Sequence, residues 1–313
     1  MAAPEQLFVW EGDSGLPSVD WDCLSVLAYA QFSGAPLKVH KISNPWRSPS
    51  GSLPAFRTNQ SETLTQPNDI IIHLRKQKYN ADYDLSAKEG ADSLAFTSLI
   101  HEKLRPALTY CWWVDSKNYV EVTRRWYAEH LPFPLSLFSP GRMQREEKEK
   151  LRLMLGQEEV EPEETLEKEL FQEAADCMNL LSQRLGQHKF FFGDSPSSLD
   201  AVVFAHLVPL MKTSFPNSKL QKHLESLSNL CVFCSNILQL YFPCAGPAPP
   251  LRPGPAPSDD VEPYRRRKQL LSLLVAAGAM FSYALVTGIV SVTMHTGEEP
   301  PEEEEVLQER EEQ

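Results

Sequence analysis

Apolar residues in the first part of the chain switch between strand and helix spacing. QLFVW (6–10) predicts a short strand. After the polar loop EGDSGLPSVDWD, apolar positions fall at Val19, Cys23, Val26, Leu27 and Ala30, the spacing of one helix face. Gly34 is placed to close that helix, and PLKVHKI (36–42) predicts a second strand. Strand, helix and strand in so short a stretch predict a βαβ unit with a parallel pair. LPAF (53–56) and ETLT (62–65), with a turn at Asn59 between them, predict two more strands, and NDIIIHLRKQ predicts a helix.

From about Gly90 the strand pattern stops. Ile100, Leu104, Leu108 and Cys111 step by four, four and three. Leu166, Leu170, Ala174, Cys177, Leu181 and Leu185 repeat that rhythm, as do Leu199, Val202, Val203, His206, Leu207 and Leu210. Leu220, Leu224, Leu227, Cys231, Cys234, Leu238 and Tyr241 alternate four and three throughout. The second part therefore reads as all-helical. LPFPLSLFSPGR (131–142) reads as too proline-rich for helix, with QREEKEK opening the next solvated one.

A third pattern closes the chain. Leu270 to Val292 is a charge-free run of 23 residues. As a helix it would reach about 35 Å, enough to cross a hydrocarbon core of roughly 30 Å. Arg265, Arg266, Arg267 and Lys268 precede it and predict that this side stays in the cytosol. The small-residue pairs Gly278/Ser282 and Ala284/Gly288 are a weak helix-pairing pattern within the run. Before it, residues 246–263 hold seven Pro in eighteen and read as a semi-extended tether.

Composition narrows the function classes. The formal net charge is -12, and nine Glu face Arg310 alone between Glu298 and Gln313. The body is mildly acidic without a basic stripe, which argues against nucleic acid as a partner. The six Cys are scattered, without the look of a disulfide framework, and MAAPEQLFVWEG has neither a basic n-region nor a long apolar core. A reducing, cytosol-facing body and no secretory signal are expected.

FFFGDSPSSLDAVVFAHL (190–207) carries the most local information. Ser197 and Asp200 have the spacing of a capping box, whose loss should cost about 0.5–2 kcal/mol. The carboxylate would also sit at the positive end of the helix dipole. With Gly193 and Asp194 ahead of it, this stretch resembles the start of a central helix in the second domain of glutathione transferase-like proteins. A thioredoxin-like α/β domain (1–85) before an all-α domain (86–245) fits that resemblance. The remaining expected segments are a linker (246–264), a basic flank and transmembrane anchor (265–293) and an acidic tail (294–313).

LPAFRTNQSETLTQPNDIIIHL (53–74), ADSLAFTSLIHEKLRPALTYCWWVD (91–115), LPFPLSLFSP (131–140) and FFFGDSPSSLDAVVFAHL also resemble, in order and spacing, stretches of the metaxin family. The tether, span and tail resemble its tail-anchored type. That resemblance implies a subunit of the machinery for protein import and β-barrel sorting and assembly in the mitochondrial outer membrane. It also implies another metaxin as partner, a cytosolic body, and a tail in the intermembrane space.

The same resemblance sets tests for glutathione chemistry. Transferases place a hydroxyl or Cys just after the first strand, where this chain offers Ser14, Ser18 and Cys23. Cys23 lies on the apolar stripe and reads as a packed thiol. Transferases also anchor the γ-glutamyl carboxylate with Gln-Ser or Glu-Ser at a helix start. The matching residues are Gln66 and Pro67, and Pro lacks both the hydroxyl and the N–H while suiting a first helical turn. Pro54 matches the family's cis-Pro.

CVFC (231–234) lacks a second ligand pair at zinc-site spacing, His206 reads as a satisfied buried histidine, and Asp200 reads as a cap. No G-x-G-x-x-G, P-loop or HExxH stands in the sequence. No catalytic residue, metal or cofactor is expected. Trp10, Trp21 and Trp46 fit either a small core or an interface. A membrane-tethered glutathione transferase or peroxidase, and a tail-anchored adaptor on another membrane, are the alternatives.

Overall fold

The computed structural model describes residues 5–156 and 163–243, together with Met280. The expected tether, basic flank, span and acidic tail lie outside the described residues. Among those described, no helix is long and apolar enough to cross a membrane. Residues 1–249 form one unit.

β1 (Gln6–Trp10) and β2 (Lys38–Ile42) pair in parallel, joined by α1 (Trp21–Ser33). β3 (Ala55–Arg57) runs antiparallel to β1, and β4 (Thr63–Leu64) pairs with β3, giving the order β2-β1-β3-β4. Alternation sends Leu7, Val9 and Phe56 into the core while Gln6 and Phe8 are half-buried. The edge strand β2 carries Lys38 and Lys41 outward, which discourages pairing with another chain. α2 (Pro67–Lys76) follows β4 and buries Ile70, Ile71 and Leu74.

α1 begins two residues later than its apolar stripe suggests. Asp20, not Val19, sets the boundary, because its carboxylate accepts the Cys23 N–H at 2.8 Å. Gly34, in the left-handed region at φ 68°, closes the helix.

The helical part runs α3 (Ala87–Leu99), α4 (Arg105–Thr109), α5 (Ser116–Asn118), α6 (Arg124–His130), α7 (Leu135–Leu155), α8 (Glu163–Leu185), α9 (Ser198–Lys212), α10 (Lys219–Ser226) and α11 (Ser228–Tyr241). Between α3 and α6 the chain opens three times into wider i→i+5 turns, at Ile100–Leu104, Tyr110–Val114 and Tyr119–Thr123. α9 is the axis of the unit: Leu199 through Leu210 are all buried. α1 packs along it, so the sheet-bearing part and the helical part share one core.

Two expectations are corrected. Residues 131–142 are not wholly non-helical, since α7 begins at Leu135. Pro134 stands just outside the helix at its N-cap, where a missing N–H removes no intrahelical bond. Pro140 lies inside it, is buried, and is tolerated there at the loss of one bond. The stripe from Leu220 to Tyr241 is two helices rather than one. Leu227 breaks it at φ -97°, ψ 75°, beside Ser226, whose hydroxyl donates to the His223 carbonyl at 2.6 Å.

Candidate functional site: a tryptophan-walled cleft between sheet and helices

The residues singled out by sequence divide into two places. Around α9, Ser197 and Asp200 form the capping box, with the Ser197 N–H and hydroxyl donating to Asp200 Oδ2 at 2.7 and 2.6 Å. The other carboxylate oxygen accepts the Phe191 N–H at 2.9 Å and so ties the preceding turn to the helix. Gly193 makes that turn at φ 115°, with N–H···O bonds running both ways between Phe190 and Gly193. Asp194 is exposed and takes no part in the cap. Burial lifts the Asp200 carboxyl to about 6 against the hydrogen bonds that favour its charge.

His206 is only half satisfied. Nδ1–H donates to the Val202 carbonyl at 2.8 Å, while Nε2 is buried without a partner. Burial and the charge of Arg105, with a smaller effect of His101, hold its pKa at about 3. The neutral ring stacks on Trp21, with centroids 6.3 Å apart.

The loop after β1 offers no activated nucleophile among the three residues considered. Ser14 is exposed at φ 51°, Ser18 is fully buried, and Cys23 is fully buried. Burial pushes the Cys23 thiol well above its usual range, and the nearby Asp20 carboxylate adds to that. Gly12 is required in this loop, because a Cβ there would run into the Leu16 carbonyl oxygen. Gln66 is the exposed N-cap of α2 and makes no side-chain cap, and Pro67 is the first helical residue. The Leu53–Pro54 bond is cis. Cys234 is buried in α11, and the half-buried Cys231 donates to the Leu224 carbonyl at 3.3 Å. Among the described residues no group of His, Cys, Asp and Glu could hold a metal ion.

A cavity lies elsewhere, between the β1–α1 loop, the segment around Trp46, and the face made by α6 and α7. It has a volume of 620 Å³, and neither Gln66 nor Pro67 lines it. Its walls include Trp10, Trp21, Trp46, Trp112, Trp113 and Trp126, which are all six tryptophans of the chain. Trp10 meets Tyr127 edge-on at 5.3 Å and Trp21 meets Trp112 at 6.0 Å, so the aromatic walls bridge the two parts of the fold. Trp10 and Trp21 are core residues; Trp46 is 65% exposed.

Charge at the cleft is mostly internally paired. Arg105 binds Asp22 at 2.8 Å, Arg125 binds Glu129 at 3.0 Å, Arg142 binds Glu146 at 2.7 Å, and Lys150 binds Glu147 at 2.6 Å. Burial lifts the Asp20 carboxyl to about 7, with the neighbouring Asp22 charge adding, against the Cys23 hydrogen bond and the more distant charge of Arg105. Sequence reasoning missed Trp112, Trp113, Trp126 and the cleft carboxylates. The readable signal was the concentration of tryptophan in CWWVD and RRWY, but nothing in the spacing brings those stretches opposite the β1–α1 loop.

Comparison with known proteins gives this geometry a family. Metaxin-1 of Bos taurus is 61% identical over 294 residues, covering 93% of both chains. The chain belongs to the metaxin family. Metaxin-3 of Xenopus laevis is 49% identical over 237 residues, 76% of each chain. A family profile described as outer mitochondrial membrane transport complex protein matches residues 23–144, and one for the glutathione S-transferase C-terminal domain matches residues 174–237.

This metaxin also has the glutathione transferase fold. A glutathione transferase of Phanerochaete chrysosporium superposes with a TM-score of 0.50, covering 76% of this chain and 97% of that one. At 15% identity the likeness concerns the fold alone. Membership makes this metaxin an outer mitochondrial membrane protein of the transport-complex family.

Proposed function

We propose that this metaxin is a non-enzymatic, tail-anchored scaffold in the machinery that imports proteins into the mitochondrial outer membrane and sorts and assembles β-barrels there. It works beside another metaxin-family subunit. Residues 1–85 and 86–245 form the cytosolic body, 246–264 the linker, 265–293 the basic flank and anchor, and 294–313 a tail in the intermembrane space.

The observation that carries the non-enzymatic reading is the state of the glutathione positions. Pro67 stands where a serine hydroxyl and N–H would bind the ligand carboxylate, and Cys23 is a buried, protonated thiol. A transferase needs a thiolate-generating group facing its substrate, and Ser14, Ser18 and Cys23 supply none.

Passage of the full chain in detergent over immobilised glutathione tests this directly. No retention is expected, and specific elution by free glutathione would overturn the reading. Cross-linking on intact mitochondria should recover a second metaxin and β-barrel assembly subunits. Fractionation to the endoplasmic reticulum would contradict the location. Protease added to intact organelles should remove residues 1–264 and spare an epitope on the tail, whereas digestion of both would reverse the topology. A chain ending before Tyr264 should leave the membrane fraction.

A further inference from the structure

The chain turns from α6 into α7 through residues 131–141, LPFPLSLFSPG, which carry no charge. At this corner Phe133 is 69% exposed, Leu137 64% and Phe138 73%, with Pro134 exposed among them. Local structure does not account for these side chains. With Pro134 as N-cap, Phe133 and Phe138 hold the two positions of a hydrophobic staple, in which the rings would shield each other from water. Both stay open to solvent instead. Other exposed apolar side chains stand beside charges: Tyr83 between Asp82 and Asp84, Val120 before Glu121, and Leu153 after Arg152.

Area and charge select what covers the corner. Three side chains so exposed offer roughly 400 Å² of apolar surface. That is about half of the ~800 Å² each partner gives to a stable protein interface. A protein interface also accepts charge at its polar rim, whereas hydrocarbon makes a charged side chain costly. The corner is too small for the first and uncharged as the second requires.

Chain length puts lipid within reach. Residues 244–269 separate the described body from the charge-free run that begins at Leu270. Extended at about 3.1 Å per residue, that stretch reaches up to about 80 Å. A folded body of this size is roughly 45 Å across, so any side of it can meet the bilayer. So small a patch binds membranes only marginally and reversibly by itself, as a single acyl chain does. A tether raises the local concentration to the millimolar range, which turns a marginal affinity into occupancy.

We infer that Phe133, Leu137 and Phe138 insert into the lipid interface of the membrane that anchors the chain, giving the body a second point of attachment. The inference rests on the reading of residues 265–293 as basic flank and anchor, and it holds for either side of the membrane.

The test uses the full chain in intact mitochondria, with the photoreactive p-benzoyl-phenylalanine replacing Phe133, Leu137 or Phe138 one at a time. Irradiation should join each to phospholipid, seen as a mass shift that phospholipase A2 reduces. Leu94, 71% exposed on α3, is the control for an apolar position outside the corner. Its lipid yield should be about tenfold lower, since it meets water rather than acyl chains. With the probe at Phe133, Leu137→Gln together with Phe138→Gln should cut the yield several-fold. The far-UV spectrum should not change, because both positions are exposed. A probe at Met280 reports on the anchor independently. Lipid adducts at Met280 with none from the corner would overturn the inference and leave the anchor standing. None at either place would overturn both. Adducts from the corner to a protein in place of lipid would overturn the assignment to a membrane.

Discussion

At the residue scale, Asp200 does more than the sequence pattern implies. A capping box alone predicts a loss of about 0.5–2 kcal/mol on truncation. Here the carboxylate is fully buried and also accepts the Phe191 N–H, so Asp200→Ala strands two backbone donors and a hydroxyl. The expected loss is about 3 kcal/mol, because each buried unsatisfied group costs roughly 1–3 kcal/mol. Ser197→Ala, which leaves the Phe191 contact in place, should cost about 1 kcal/mol. Denaturant titration of the two variants measures the difference, and equal losses would reduce Asp200 to a cap alone.

His206 makes a pH prediction with a definite sign. Its folded pKa of about 3 lies below the ordinary 6.5, so below pH 6.5 the unfolded chain takes up a proton that the native state refuses. This group's contribution is fully present above pH 6.5 and falls with acid at about 1.4 kcal/mol per pH unit. The groups facing it are His101, Arg105 and Trp21. His206→Phe removes the titration, so between pH 8 and pH 5 its stability relative to the parent should improve by about 2 kcal/mol. A constant difference across that range would mean the native histidine does protonate.

At the element scale, legibility followed how local the cause was. β1 reads from its own five residues, and the αL glycine at Gly34 closes α1 where the sequence puts it. The wide turns at Ile100–Leu104, Tyr110–Val114 and Tyr119–Thr123 were not legible, since steps of four and three describe a stripe and do not register an i→i+5 bond inside it. α7 was misread for a similar reason. Proline counts against helix everywhere, yet Pro134 sits where it is harmless and Pro140 is buried against the core. Pro140→Ala restores the N–H that bonds the Ser136 carbonyl. It should raise stability by about 1–2 kcal/mol, the interior proline penalty of roughly 3 kcal/mol less the lost packing. Thermal denaturation decides between this and a net loss from the missing ring.

At the scale of the whole molecule, the two domains were legible separately, but the surface between them was not. Four contacts that join them come from residues far apart in sequence: Ser198 N–H to Asp82 at 2.7 Å, Asp22 to Arg105 at 2.8 Å, Trp21 to Trp112, and Trp10 to Tyr127. Spacing within a segment carries no information about such pairs. Together with the packing of α1 along the buried α9, they make the cores of the two parts continuous. Unfolding of the body should therefore be a single cooperative transition. Tryptophan emission reads the cleft between the domains, while far-UV circular dichroism reads mainly the helices of the second. In a denaturant titration the two curves should superimpose. If emission changed first while the helical signal held, the cleft would open as an independent step, and its walls would have to be counted as mobile.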